Sequence, residues 1–255
     1  MFFFVKRTRL LLYVALILSA TACSSSSDSA PQGELGIQDL VSGTGDVVEN
    51  GMTLIVSYIG TLPDGSVFDA TSERNRDFMF TLGVGKVIEG WDTGIVGMRV
   101  GGVRRLDIPS HLAFGRNGQC FSDGTCAVQP NTDVSYEVTV VDILDSVQTR
   151  DETVGTGEEA VPGSVLFVEY VGTFQDGTVF DASQFQGGAF QFTLGSGQVI
   201  SGWDEGIVGM HVGGVRFLTI PPSQAYGQFG SGAIPPYTVL LFRIELVQLV
   251  PPPTG

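Results

Sequence analysis

The sequence predicts two tandem α+β domains, each a curled antiparallel β-sheet wrapped over one short α-helix. The first observation is a repeat, because Val67-Phe68-Asp69-Ala70 returns as Val179-Phe180-Asp181-Ala182 at an offset of 112 residues. The second is that strand-forming segments dominate both copies. The third is that each copy holds one tryptophan, with Val and Ile four and three residues before it and Ile four after it. This is helical spacing.

Residues 1–22 are predicted to be an export signal. Lys6, Arg7 and Arg9 form a positive start, and the nine apolar residues of Leu10–Leu18 are too few to span a membrane. Small residues then lead to Cys23 and a serine run, which resembles the lipobox of bacterial lipoproteins, although Ala20 stands where that motif prefers Leu. The resemblance implies lipidation of Cys23, and an ordinary cleaved signal with an incidental Cys is the alternative. Residues 23–34 are predicted to be a flexible tether.

Domain one is expected at 35–146 and domain two at 147–250, with a proline-rich tail at 251–255. Matching strands are predicted at Thr53–Tyr58, Arg104–Ile108 and Val134–Ile143 in the first copy, and at Ser164–Tyr170, Arg216–Ile220 and Val239–Leu249 in the second. Pro63-Asp64-Gly65 and Gln175-Asp176-Gly177 mark turns before further strands. A helix this short is marginal alone, so a sheet must cover its apolar face.

Composition argues against several kinds of function. The net charge is −14, and loss of the three basic residues of the leader takes it to −17, which argues against nucleic acid as a partner. His111 and His211 are the only histidines and lie in unlike contexts, so neither a metal site nor a Ser-His-Asp nucleophile is expected. Gly83-x-Gly85 and Gly195-x-Gly197 lack the other features of phosphate-binding loops, so no nucleotide or other cofactor is expected.

The repeated motifs together resemble the FKBP-type peptidyl-prolyl cis-trans isomerases over nearly all of residues 36–249. They include a strand Tyr, Phe-Asp, Val-Ile-x-Gly-Trp, Gly-Met, Gly-Gly-Val-Arg and Ile-Pro. Domain two continues with Ala225-Tyr226-Gly227 and Ile234-Pro235-Pro236. Each fragment alone is a weak signal, whereas the ordered set, present twice at matching spacing, is a specific one. The resemblance implies rotation about X-Pro peptide bonds as the activity.

Carried over by position, the resemblance assigns a catalytic pocket in domain two to Tyr170, Phe180, Asp181, Phe190, Val199, Ile200, Trp203, Tyr226, Ile234 and Phe242. In domain one it assigns substrate-binding positions to Tyr58, Phe68, Asp69, Arg74, Phe78, Val87, Ile88, Trp91, Phe114 and Tyr136. Gln186 stands where an Arg is common. Domain one departs from the family where Phe114 replaces the Tyr of Ala-Tyr-Gly, where Val128-Gln129-Pro130 replaces Ile-Pro-Pro, and where six extra residues enter the loop.

An apolar aromatic pocket suits the implied reaction. X-Pro rotation makes and breaks no covalent bond, and its barrier of about 18–20 kcal/mol is the loss of amide resonance. The twisted amide is less charge-separated than the planar one, so a water-poor pocket favours it. The indole of Trp203 can form a floor for the proline ring, the hydroxyl of Tyr226 can hold a substrate carbonyl, and Asp181 can accept from an amide or orient Tyr170. The plain alternative is that the tryptophan is only core and the aspartate only a turn residue.

Cys120 and Cys126 lie in the enlarged loop of domain one with five residues between them. In an oxidising compartment we expect them to pair as a disulfide, and two free loop thiols are the alternative.

Two functions follow as hypotheses. The first is a prolyl isomerase that assists folding of proline-containing polypeptides outside the cytoplasm, lipid-anchored at the periplasmic or cell-surface side of a bacterial membrane, with domain two carrying most of the activity. The second is a binding module or chaperone with little turnover, which the altered loop of domain one favours. The resemblance also implies macrolide immunosuppressants as ligands, because members of the family commonly bind them.

Overall fold

The computed structural model describes residues 33–74 and 76–253, without the side chain of Arg74. The predicted signal, the lipidation site Cys23 and most of the tether lie outside these residues. The chain from Gly33 onward forms one compact unit. Within the described ranges, no helix is long and apolar enough to cross a membrane.

Domain one is built on a six-stranded antiparallel sheet. Its elements are β1 (Gly36–Val41), β2 (Thr53–Thr61), β3 (Val67–Ala70), β4 (Phe78–Thr81), α1 (Glu89–Gly94), β5 (Val103–Ile108), β6 (Gln119–Cys120), β7 (Cys126–Val128) and β8 (Val134–Ile143). The strand order is β1-β5-β8-β2-β3, and β4 also pairs with β2. The short strands β6 and β7 form a separate hairpin.

Domain two repeats this topology. Its elements are β9 (Gln148–Thr153), β10 (Val165–Thr173), β11 (Val179–Ala182), β12 (Phe190–Thr193), α2 (Ser201–Gly206), β13 (Val215–Ile220) and β14 (Leu240–Val250). The order is β9-β13-β14-β10-β11, with β12 also on β10. The predicted fold class is confirmed, and so are the predicted long strands. The edge strands β1 and β9 were not predicted, because nearly every residue in them is exposed and no apolar alternation marks them.

Each helix is shorter than the sequence spacing indicated. Ile88 and Ile200 precede the helices in an extended conformation, with ψ of 147° in both. The prediction that Val and Ile before each tryptophan share its helical face is therefore wrong, because all four residues precede the helices and the valines lie in bends. Ile95 and Ile207, four residues after the tryptophans, end the helices and are fully buried in the core.

An arginine of the sheet holds each helix in place. Nη1 of Arg216 in β13 donates to the carbonyl of Gly206 at the end of α2 (3.0 Å), while its Nε donates to Asp151 (2.6 Å). Arg104 makes the same two kinds of contact in domain one. The helix also lies very close to the sheet, because a Cβ added at Gly206 would come within 2.8 Å of Cδ2 of Leu218. These contacts account for the arginine of the repeated Gly-Gly-Val-Arg motif and for the glycine that ends each helix.

The repeated Gly-x-Gly segments bind a carboxylate of the protein itself. Asp204 of α2 accepts from the backbone N–H groups of Gly195 (2.8 Å) and Gly197 (3.0 Å). Asp92 of α1 accepts in the same way in domain one. The bonds anchor the loop to the helix, and the Val-Ile pair lies in the short segment between them.

The two sheets meet through a small apolar cluster and one polar side chain. The cluster contains the buried residues Ile55, Leu144 and Val239 and the partly buried Met79 and Leu241. The amide of Gln175, in the turn after β10, accepts from the backbone N–H of Met79 (2.9 Å) and donates to its carbonyl (2.6 Å). Domain two thereby covers the free edge of β4 at one residue.

Candidate active site

A cleft of about 360 Å³ opens beside α2 in domain two. All ten residues that the resemblance assigned to the pocket of this domain line it. Val199 and Ile200 before α2 line the cleft together with Trp203 on the helix, and Tyr226 and Ile234 reach it from the loop between β13 and β14. Gln198, Ser231 and Ala233 also line the cleft, and sequence reasoning did not assign them.

Trp203 belongs both to the core and to the floor of this cleft. Its side chain is 4% exposed and meets the rings of Tyr170 and Phe242 edge-on, with centroids 5.0 and 5.2 Å away. Its indole N–H is buried and has no hydrogen-bond partner among the described residues. Core packing and a place at the floor of the cleft are therefore compatible for Trp203, because one part of the ring can pack while another faces the cleft.

A hydrogen-bonded group stands at one wall of the cleft. The hydroxyl of Tyr170 donates to Oδ2 of Asp181 (2.7 Å) and accepts from Nε2 of Gln186 (3.1 Å). Burial raises the pKa of Tyr170, and the bond to Asp181 raises it further. Asp181 thus holds Tyr170 in one orientation, which is one of the two roles predicted for it. Gln186 supplies a neutral donor at the position where the family often has Arg.

Tyr226 presents a hydroxyl to the same cleft. The residue is 39% exposed, and its hydroxyl has no hydrogen bond to any residue that the structure describes. Burial raises the pKa of this phenol, and the charge of Asp181 adds to the effect. The group therefore remains protonated at neutral pH and can donate to a carbonyl.

Domain one has a wider cleft of about 640 Å³ at the corresponding place. Eight of the ten residues assigned there line it: Tyr58, Asp69, Phe78, Val87, Ile88, Trp91, Phe114 and Tyr136. Phe68 instead packs edge-on against Phe114, at 6.1 Å between centroids, and the side chain of Arg74 lies outside the described structure. The hydroxyl of Tyr58 donates to Asp69 (2.8 Å), as in domain two.

Ionisable side chains at the cleft of domain one were missed. Lys86, Glu89 and His111 line it, whereas the equivalent positions in domain two carry Gln198, Ser201 and Ser223. A signal was present in the sequence, because Lys86 and Glu89 directly flank the Val-Ile pair. Among the described residues, no three side chains of His, Cys, Asp or Glu are grouped so that they can hold a metal ion.

The enlarged loop of domain one forms a hairpin at the cleft. A disulfide joins Cys120 and Cys126 across β6 and β7. Val128 pairs with Gln119 as Ile234 pairs with Ser231 in domain two, so it occupies the position of that isoleucine, but it is fully buried. The side-chain oxygen of Gln119, which also lines this cleft, is buried with no hydrogen-bond partner in the described structure.

Comparisons with known proteins find the same family in both domains. The sequence model of the family FKBP-type peptidyl-prolyl cis-trans isomerase matches residues 45–141 and 156–247. Peptidyl-prolyl cis-trans isomerase FKBP10 of Homo sapiens is 35% identical over 198 residues, which are 75% of this chain and 33% of that protein. FK506-binding protein 2 of Yarrowia lipolytica is 52% identical over 93 residues, covering 36% of this chain and 65% of that protein.

Among solved structures, FkpA from Escherichia coli is 37% identical, with a TM-score of 0.39 over 42% of this chain and 49% of that one. The matched part of the chain spans about a third of the length of the FKBP10 and FKBP9 relatives. The two family matches cover most of the chain, and each contains one of the clefts. The chain therefore belongs to the FKBP-type peptidyl-prolyl cis-trans isomerase family.

Proposed function

We propose that the chain catalyses cis-trans isomerisation of X-Pro bonds in polypeptides, and that domain two carries most of this activity. The observation that supports the proposal most is the cleft of domain two, which combines an aromatic floor and walls with the hydroxyl of Tyr226. Membership in the family supports the reaction type.

The cleft suits a reaction that needs no proton transfer. The proline ring enters over Trp203, and the walls formed by Phe180 and Phe242 exclude water from the amide. Loss of charge separation in the twisted amide is tolerated better there than in water, so the barrier falls. Tyr226 donates to a substrate carbonyl and holds the chain while the ring turns. Tyr170 keeps its proton and is held by Asp181, so this pair positions a wall of the cleft.

Domain one supports a second candidate function, a binding site for polypeptides with little turnover. Phe114 offers no hydroxyl where Tyr226 has one, and Val128 is buried where Ile234 is only partly buried. The wider cleft of domain one, about 640 against 360 Å³, also leaves more water around a bound amide. These three differences favour holding over catalysis.

A matched pair of substitutions in the full chain tests the assignment. Phe180→Ala should remove most turnover of a short proline peptide, because Phe180 lines the cleft of domain two. Phe68→Ala should cost little, since the equivalent side chain packs behind Phe114. Circular dichroism must show both variants folded, because both rings also contact the core. A large loss for Phe68→Ala with little loss for Phe180→Ala would reverse the assignment.

We also propose that macrolide immunosuppressants bind the cleft of domain two, because the Yarrowia lipolytica relative is named for binding FK506. An aromatic cleft with a few convergent polar groups is the usual form of a small-molecule site. FK506 should inhibit turnover by the full chain. Isothermal calorimetry should show that Phe180→Ala weakens FK506 binding while Phe68→Ala does not, and equal binding by both variants would place the site elsewhere.

A third proposal concerns location: the chain is exported and held by a lipid on Cys23 at the periplasmic or cell-surface side of a bacterial membrane. The positive start, the short apolar run and the small residues before Cys23 support it. The pairing of Cys120 with Cys126 fits an oxidising compartment. Cys23→Ser should release the protein from membranes. In a detergent phase separation the variant should move to the aqueous phase, and unchanged partition would count against lipidation.

A further inference from the structure

Three phenylalanine side chains are more than half exposed in the described structure: Phe229 at 84%, Phe185 at 71% and Phe121 at 57%. Single exposed apolar residues are common and need no explanation. Two of these three, however, are close along the chain to residues that line the same cleft. Phe185 directly precedes Gln186, and Phe229 lies between Tyr226 and Ser231 in the chain, and these three neighbours line the cleft of domain two.

The equivalent positions of domain one are polar. At the offset of 112 residues, Glu73 corresponds to Phe185 and Asn117 corresponds to Phe229. The fold therefore does not need an aromatic residue at either position. The pair, which we call the aromatic rim (Phe185 and Phe229), is a property of domain two alone.

The cleft next to the aromatic rim in the chain carries little charge. Asp181 is the one charged side chain among the described residues that line the cleft of domain two, and it is engaged by Tyr170. The cleft of domain one instead carries Lys86, Glu89 and His111. In a chain of net charge −14, a surface with little charge repels acidic polypeptides less than the rest of the protein does, so binding there depends less on the charge of the polypeptide.

The two rings stand on separate segments, Phe185 in the short 3-10 helix Ser183–Gln186 and Phe229 in a turn, and glycines follow both. Gly187 and Gly188 come after Phe185, and Gly230 comes after Phe229, all with positive φ. A folded partner would need one flat apolar patch, whereas an extended chain can place successive side chains against two separate rings. Both residues of the aromatic rim are also chain neighbours of residues in the cleft that receives the proline in the proposed function.

We propose that the aromatic rim binds unfolded polypeptide segments that present large apolar side chains, whether or not those segments contain proline. The proposal rests on the proposed function only for the continuity of the rim with the prolyl cleft. Domain two would then hold an unfolded client before and after turnover, and this holding would be separate from X-Pro recognition.

The test uses the full chain and a short, fluorescently labelled peptide of Leu, Phe, Ser and Gly that contains no proline, measured by fluorescence anisotropy. The double variant Phe185→Glu with Phe229→Asn carries the residues that domain one has at these positions, so it should fold. Its affinity for the peptide should be at least about tenfold weaker than that of the unsubstituted chain. A second double variant, Phe185→Gln with Phe229→Asn, should show the same loss without an added charge.

Val154→Ser is the matched control, because Val154 is 70% exposed and does not line either cleft. It should bind the peptide as the unsubstituted chain does. Unchanged affinity in the double variants, or an equal loss in Val154→Ser, would overturn the proposal. Turnover of a short proline peptide by the same samples separates the two ideas. If the unsubstituted chain isomerises the proline peptide but does not bind the proline-free peptide, only the proposal for the aromatic rim is contradicted. If it binds the proline-free peptide without isomerising, only the proposed isomerase activity is contradicted.

Discussion

At the scale of single residues, the hydroxyl of Tyr226 is the sharpest chemical difference between the two clefts. Tyr226→Phe should lower kcat/KM for a proline peptide by a few-fold to about tenfold, because one hydrogen bond contributes about 0.5–1.5 kcal/mol. Tyr237→Phe is the matched control, since the hydroxyl of Tyr237 lies 3.4 Å from Gln228 and does not line the cleft. Equal turnover by Tyr226→Phe and the unsubstituted chain would remove this residue from the mechanism.

The pKa shifts of the same cleft predict how turnover depends on pH. Burial, and then the charge of Asp181, raises the pKa of Tyr226 above its ordinary value of 10.0. The protonated phenol is the form that donates, and a raised pKa keeps it protonated to higher pH. We therefore expect kcat/KM to stay flat from about pH 6 to 9. A fall with a midpoint below 10 would show that the phenol titrates as a more acidic group than its surroundings allow.

At the scale of elements, the hairpin of β6 and β7 in domain one is cross-linked by the disulfide between Cys120 and Cys126. Cys120→Ser with Cys126→Ser should lower the free energy of unfolding by about 2 kcal/mol, because closing so short a loop restricts the unfolded chain only modestly. Urea unfolding of the full chain measures the loss.

Reductant provides the control for that loss within the same experiment. It should destabilise the unsubstituted chain by the same amount and leave the double variant unchanged. A double variant that is still sensitive to reductant, or an unsubstituted chain that is insensitive to it, would show that the disulfide does not support the hairpin.

The elements also show why sequence reasoning succeeded in some places and failed in others. Strands with alternating burial, such as β8, were predicted from their pattern, whereas β1 is exposed along most of its length and leaves no pattern to read. The helices were placed correctly but overextended, because the extended conformation of Ile88 and Ile200 is invisible in apolar spacing.

The residues of the candidate site likewise divide into those that could be predicted from the sequence and those that could not. Residues inside the repeated motifs were assigned through the resemblance, and they line the cleft of domain two. Ser231 and Ala233 were missed because a tight turn, rather than any periodic element, brings them to the cleft. The role of Gln175 was also out of reach, because its partner Met79 lies 96 residues away in the other domain.

At the scale of the whole molecule, the contact between Gln175 and Met79 joins the two domains. Met79 occupies the free edge of β4, and its counterpart in domain two is the exposed Gln191 of β12. The apolar Met79 is therefore on the strand edge that domain two covers, and the polar Gln191 is on the equivalent edge, where its side chain is exposed. Gln175 satisfies both backbone groups of Met79, and Val239 packs nearby in the apolar cluster with Ile55.

This interface predicts that the tandem unfolds as one cooperative unit. Gln175→Ala removes both hydrogen bonds to Met79, so we expect it to weaken the interface by about 1–3 kcal/mol. Differential scanning calorimetry of the full chain should show a single transition that the substitution lowers in temperature or splits into two.

Gln191→Ala is the control for the interface, because it truncates the same residue type on the equivalent edge of domain two, where the side chain is exposed. It should leave the transition unchanged. If the unsubstituted chain already unfolds in two independent steps, or if Gln175→Ala behaves as Gln191→Ala does, the contact between the domains contributes nothing to cooperativity. The two clefts would then act on clients independently. With a rigid joint, by contrast, the separation between the clefts is fixed, and only polypeptides long enough to span it can occupy both.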